Sequence, residues 1–169
     1  MNSTAIRLRA MEPEDLDLLY QIENDRSLWH VGASNVPYSR YALHDFIAHT
    51  SGDIYADKQV RLMIESEDGA TVGMVDLVNF DAKNCRAEIG LVISSQYRRR
   101  GYASATLQAI HQYADEQLHL HQLYAFIDVH NEASLRLFSN HGYVKGTILT
   151  DWLFDGHSYH DALLMQKML

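Results

Sequence analysis

The chain has 169 residues, 47% of them apolar, enough to bury one substantial core, so residues 1–169 read as a single domain. Its formal net charge is −8 despite 14 Lys and Arg, which leaves no global basic field for nucleic acid or anionic lipid and favours cationic partners over polyanions. The single cysteine, Cys85, excludes an internal disulfide framework and a cysteine-only zinc site; with no apolar leader and no stretch of membrane-spanning length, a soluble cytoplasmic protein is expected.

In chain order, RLRAM is a short alternating piece, Pro13 fits a first helical turn, and Leu16, Leu19 and Tyr20 fall on one helical face. A second short helix is expected from Tyr41 to Ile47. Val60, Leu62 and Ile64 alternate as a strand, EDGA supplies a turn, and TVGMVDLVNF completes a hairpin. AEIGLVI is a third strand, more continuously apolar. From Ala103 the period becomes helical, with Leu107, Ile110 and Ala114 recurring as far as about Leu118. LYAFIDV is a strand, Ser134 to His141 a short helix stopped by Gly142, and two last strands flank the Asp155–Gly156 turn. The fold class is therefore α/β of the α+β kind, a mixed, mostly antiparallel sheet with helices on its faces.

One segment stands apart from the acidic background. QYRRRGYAS, residues 96–104, leads from the third strand straight into a helix, whose first N–H groups and dipole favour an anion. Gly101 admits a ligand close to the backbone, Ala103 and Ser104 keep the first turn slim, and Arg98, Arg99 and Arg100 supply charge-assisted partners for phosphate oxygens. An exposed basic loop is the competing reading. GxxxxGK[ST] and GxGxxG are both absent, and no basic and aromatic interleaving continues on either side, so direct nucleic-acid binding is not expected.

Arg98-x-x-Gly101-x-Ala103 resembles the (Q/R)-x-x-G-x-(G/A) signature of the GCN5-related N-acetyltransferases. Asn131-x-x-Ser134-x-x-Leu137-Phe138-x-x-x-Gly142-Tyr143 is similar to the second motif of that family, at the expected interval. LRAMEPEDL and FDGHSYHDALLMQKM resemble its opening and closing elements, so the likeness spans nearly the whole chain. ENDRSLW, PYS and AEIGLVI are most similar to the branch of spermidine and ribosomal-protein N-terminal acetyltransferases.

The resemblance implies two central strands that splay apart and direct acetyl transfer from acetyl-CoA to an amine in a ternary complex, with no metal. The pyrophosphate would lie on the backbone from Arg99 through Tyr102 to Ser104, gripped by the arginines, and the pantetheine arm would bond the backbone of Val92 and Ile93. Asn131 and Ser134 would lie near the pantetheine and thiol. At position 138 the family often has a tyrosine that protonates the departing thiolate. Phe138 cannot, which leaves Ser134, Tyr143, His141 or water for that role and suggests that the ring packs beside the pantetheine.

An unperturbed alkylammonium must lose its proton at a cost of about 4.6 kcal/mol at pH 7, so a base is useful. Glu88 is the first candidate and an acceptor contact, against a solvated strand carboxylate as the alternative; Asp76 and Asp128 follow. Glu23, Asp25, Trp29, Tyr38 and Tyr41 are candidates to line the acceptor site. His119-x-His121 and His157-x-x-His160 have short spacings but no third ligand, so no metal is expected. Phe138 also keeps open a catalytically weak acyl-CoA sensor. The resemblance makes a homodimer an available assembly.

Overall fold

Strand β4 (Arg86–Ile93) and strand β5 (Gln122–Asp128) form the centre of the fold, and they run parallel. A computed structural model describes residues 4–28 and 36–169. The other strands are β1 (Ile6–Arg9), β2 (Val60–Ser66), β3 (Thr71–Asp81), β6 (Val144–Phe154) and β7 (Tyr159–Met168). They form one seven-stranded sheet in the order β1-β2-β3-β4-β5-β7-β6, antiparallel except at β4–β5.

The helices are α1 (Leu16–Glu23), α2 (Arg40–His49), the one-turn α3 (Ile54–Asp57), α4 (Tyr102–Glu116) and α5 (Glu132–Asn140). The arm β1 to β4 is covered on both faces, which accounts for the nearly continuous apolar reading of its strands. On the back, Leu107, Ile110 and Ala114 of α4 and Phe138 of α5 pack with Ile64, Val72, Val75, Leu77, Ile89 and Leu123. On the front, Leu19 and Ile22 of α1 and Leu43 of α2 close over Met63 and Met74. Among the described residues 27 apolar side chains are buried, the larger ones worth roughly 1.5–3 kcal/mol each, and this burial is the main driving force for the architecture.

Two expectations need adjustment. Pro13–Asp15 is a separate 3₁₀ turn before α1: Asp15 is buried, its carboxylate accepts the Glu12 N–H, and Arg9 grips it in a bidentate pair. α5 starts two residues earlier than the spacing suggests, because the Asn131 side chain caps it by accepting the Ser134 N–H at 3.1 Å.

Candidate active site

The fork between β4 and β5 is short-paired. Their register runs Arg86–Gln122, Ala87–Leu123 and Glu88–Tyr124 and stops there, whereas β4 continues beside β3 to Ile93 and β5 beside β7 to Asp128. Beyond Glu88 each strand therefore turns one backbone edge toward the other across an open wedge. Ser94 donates its N–H to Val72 on β3, and Met74–Val92 and Asp76–Gly90 follow at even steps along the same ladder. Even-numbered residues of β4 thus spend their backbone groups on β3. The Cys85 carbonyl accepts from His121 and Gln122, so odd-numbered residues face β5. The ladder corrects one expectation: Leu91 and Ile93 present their backbone to the wedge, whereas Val92 does not. Val92 points its side chain into the α1–α2 cluster instead.

The wedge opens toward the start of α4. Gly101 is the N-cap with φ +86, a left-handed conformation that glycine adopts without strain, and Arg99 before it also has positive φ. The first intrahelical bond runs from the Ala105 N–H to the Gly101 carbonyl, so the amides of Tyr102, Ala103 and Ser104 lie ahead of the helical ladder. The Thr4 hydroxyl donates to the Arg100 carbonyl at 2.9 Å and ties this loop to the start of β1. A Cβ on Gly101 would lie 2.7 Å from Thr4 Oγ1.

The three arginines divide their tasks. Arg98 donates its Nε to the Ile93 carbonyl at 2.9 Å and so braces the end of β4. Arg100 lies over the Tyr97 ring at 5.7 Å. Arg99 and Arg100 are exposed, and neither makes an ion pair with a carboxylate among the described residues. Ser94 Oγ, at the junction of β4 and this loop, is buried with no hydrogen-bond partner among the described residues. Sequence reasoning did not single it out, because an unsatisfied hydroxyl is visible only once its neighbours are known.

Glu88 sits at the point of the fork. Its side chain shares the front face of the sheet with Asp76 and Val78 of β3, since Val78 pairs with Glu88 and Asp76 with Gly90. An extra residue in β3 between Val78 and Asp81 puts Asn79 at φ +51, and its Nδ2 donates to Glu88 Oε2 at 2.7 Å. Burial raises the Glu88 carboxyl above the ordinary carboxylate range, and the Asn79 bond opposes this only in part. Asp76 is in the opposite situation. Arg61 clasps it in a bidentate pair at 2.6 and 2.7 Å and also bonds Glu23, so neither carboxylate stands as a lone base.

The remaining candidates lie as follows. Asp128 is buried; it accepts the His130 N–H and faces His160 Nδ1 at 3.3 Å, while His160 Nε2 meets Asp155 at 2.8 Å. His160 is thereby favoured in its charged form, first by Asp155. Asn131 spends its carbonyl oxygen on capping α5, and Ser134 lies in the first turn. Phe138 is buried and meets Tyr143 edge-on at 4.8 Å. The Tyr143 hydroxyl pairs with His111 at 3.1 Å inside the core, and burial drives its pKa upward, which disfavours it as an acid for the thiolate.

Tyr38 is exposed, with its backbone bonded both ways by the Asn24 side chain, and Tyr41 is largely exposed. The Asp25 carboxyl is held below its usual range by the Ser27 hydroxyl and amide, with a smaller contribution from Arg98, which puts the end of α1 beside the arginine loop. Trp29 lies outside the described residues.

A wedge with a backbone edge on each side, leading to a helix start whose amides and two arginines are unpaired among the described residues, fits an extended thiol ester that carries a diphosphate. Residues 5–144 match the acetyltransferase (GNAT) domain family. The chain belongs to the GNAT family. It is an acetyl-CoA-dependent N-acetyltransferase. Spermidine N(1)-acetyltransferase of Escherichia coli K12 is 27% identical over 166 residues, covering 95% of this chain and 84% of that protein. The putative ribosomal N-acetyltransferase YdaF of Bacillus subtilis is 29% identical over 162 residues, covering 94% and 88%. The crystal structure of spermidine N-acetyltransferase from Vibrio cholerae in complex with CoA and spermine superposes with a TM-score of 0.87 at 24% identity, over 99% of this chain and 96% of that one. The matched architecture includes the mixed seven-stranded sheet and its flanking helices.

Proposed function

We propose that this N-acetyltransferase acts on a primary amine of a polyamine or diamine, with Glu88 as the group that receives the amine's proton. The observation that carries this reading is the end of β4–β5 pairing at Glu88: a half-buried carboxylate, bonded by a neutral amide and, among the described residues, by no guanidinium, stands where the wedge opens. A raised carboxyl is a better proton acceptor than an ordinary one as long as it remains ionised at working pH. The acidic chain, and its likeness to spermidine acetyltransferases along 95% of its length, support a cationic acceptor.

In this reading the backbone of Leu91 and Ile93 holds the pantetheine arm, and the amides of Tyr102, Ala103 and Ser104 hold the pyrophosphate with Arg99 and Arg100. Acetyl-CoA supplies the acetyl group as an activated thioester. Asn131 Nδ2, which has no partner among the described residues, and Ser134 face the thiol end. Arg98 acts indirectly, through the Ile93 carbonyl. Glu23 contributes to the acceptor side through Arg61, as part of a charge network. Tyr38 and Trp29 belong to the same acceptor reading. A homo-oligomer is also part of it, supported by the dodecameric Vibrio cholerae relative, which is 25% identical with a TM-score of 0.82.

The test is release of free thiol from acetyl-CoA over a panel of spermidine, spermine, putrescine, amino acids, aminoglycosides and N-terminal peptides, with coenzyme binding followed in parallel. Turnover on the polyamines is expected. Turnover on peptides alone refutes the acceptor class, and coenzyme binding with no thiol release on any amine would make the protein an acyl-CoA sensor.

A further inference from the structure

The contact between α4 and the turn that follows α5 contains two side-chain bonds that the coenzyme reading leaves unused. Ser104 and His111 are seven residues apart and so share one face of α4. Ser104 Oγ lies 2.9 Å from His141 Nε2, and His111 Nε2 lies 3.1 Å from the Tyr143 hydroxyl. His141, just after α5, has its Nδ1 2.8 Å from the Leu137 carbonyl. A carbonyl oxygen only accepts, so Nδ1 carries a proton whatever the charge of the ring. The protonation of Nε2 is the remaining variable.

Each state of Nε2 dictates the Ser104 hydroxyl. With the ring neutral, Nε2 accepts the Ser104 O–H, and the serine has only lone pairs for other neighbours. With the ring protonated, Nε2–H donates to Ser104 Oγ, and the hydroxyl proton is released. Ser104 stands in the first turn of α4, on the segment whose amides are assigned to the diphosphate. An anion there gains a donor and a nearby positive charge in the second state and meets lone pairs in the first.

We propose that His141 is a positioning residue for the coenzyme's phosphates: binding draws one proton from solvent onto His141 Nε2, which reverses the Ser104–His141 bond and turns the serine hydroxyl toward a pyrophosphate oxygen. This rests on the coenzyme reading above. The titratable groups near His141 are His111 on α4, Tyr143 just before β6 and Lys167 on β7, with Arg98 to Arg100 in the loop ahead of α4. Burial brings His111 down to about 4, so it carries no charge near neutrality. Tyr143, raised by burial, is likewise uncharged. Lys167, whose Nζ would lie 3.0 Å from a Cβ on Gly142, and the arginines are the cations on the neighbouring elements. A bound diphosphate adds negative charge beside the imidazole, so coenzyme affinity and His141 charge are linked in both directions.

The experiment is calorimetric titration of the full chain with dephospho-coenzyme A from about pH 6 to about pH 8, the range in which imidazoles titrate. The dephospho form keeps the pyrophosphate but lacks the 3′-phosphate monoester, whose own second ionisation near pH 6 would obscure the result. The wild-type Kd is expected to rise at least about fivefold from the acid to the alkaline end, with net proton uptake seen by repeating the titration in buffers of different ionisation heat. His141→Gln should flatten the profile to within about twofold, and Ser104→Ala should reduce the dependence although the imidazole remains. A flat wild-type profile, or an undiminished slope in either variant, overturns the proposal. Failure of the wild type to bind the coenzyme at any pH overturns the coenzyme reading beneath it, which separates the two.

Discussion

The front of the sheet and the mouth of the wedge treat charge in opposite ways. On the front, Arg61 lies between Asp76 and Glu23 and over the Phe46 ring, each side chain largely shielded, so positive is met by negative at 2.5–2.7 Å. At the mouth, Glu88 has only the Asn79 amide, and Arg99 and Arg100 have no carboxylate at all among the described residues. Neutralised charge holds elements together, here α1 to β2 and β3. Charge left without a protein counter-ion among the described residues is available to a ligand, which is the role proposed for it above. Substitutions on the two sides should therefore separate stability from binding.

The largest effect is expected at the neutralised side. Arg61→Met strands two partly buried carboxylates and should cost about 3 kcal/mol in urea unfolding, while coenzyme affinity stays within about twofold. A variant as stable as the wild type would break the comparison. Glu88→Gln should lower kcat on the best amine by roughly a hundredfold, the low end for a general base, yet raise stability slightly at pH 7. The sign follows from the raised carboxyl: its folded-state pKa lies above the unfolded value, so its contribution to stability is full below the unfolded pKa and lost as pH rises through the folded one. The Gln variant lacks that loss, and thermal melts at pH 4 and pH 8 report it.

Gly101→Val places a Cβ against Thr4 and a branched residue at φ +86, so the coenzyme Kd should rise at least about tenfold, or about 1.4 kcal/mol, as read by titration. An unchanged Kd would remove the diphosphate from the start of α4. Arg99→Ala and Arg100→Ala should each weaken coenzyme binding by only about threefold at moderate salt, less as salt rises, with stability shifted by under about 0.5 kcal/mol. If either destabilised the fold as Arg61→Met does, the division between the two kinds of charge would fail.

The start of α4 was legible from sequence because everything that makes it is local: a glycine at the cap, small residues in the first turn and the arginines beside it. The succession of strands along the chain was legible in outline, since alternation and turn signals mark most of them; the parting of β4 from β5 was implied only by the family resemblance. The Arg61 network was not, because its partners lie 38 and 15 residues away and meet only after α1 docks on the sheet. That Leu91, and not the expected Val92, turns its backbone to the wedge depends on the register of β3 against β4, which side-chain pattern does not reveal. Tyr143 is one of the sequence candidates to replace the hydroxyl that Phe138 lacks; packing against Phe138 and His111 makes it a core residue. The four-residue α3 is too short for periodicity to mark.

The gap between β4 and β5 has a further consequence. A wall made of main-chain amides and carbonyls looks the same whichever residues supply it, provided the strands keep their course. Mutation can replace outward side chains along both strands while the groove stays in place, and drift down to about a quarter identity has left the superposition with the Vibrio cholerae enzyme at 0.87. Side-chain identity matters to the groove itself at only a few points: the left-handed cap at Gly101, and the glycine at position 73, whose Cβ would lie 2.1 Å from the Val92 carbonyl.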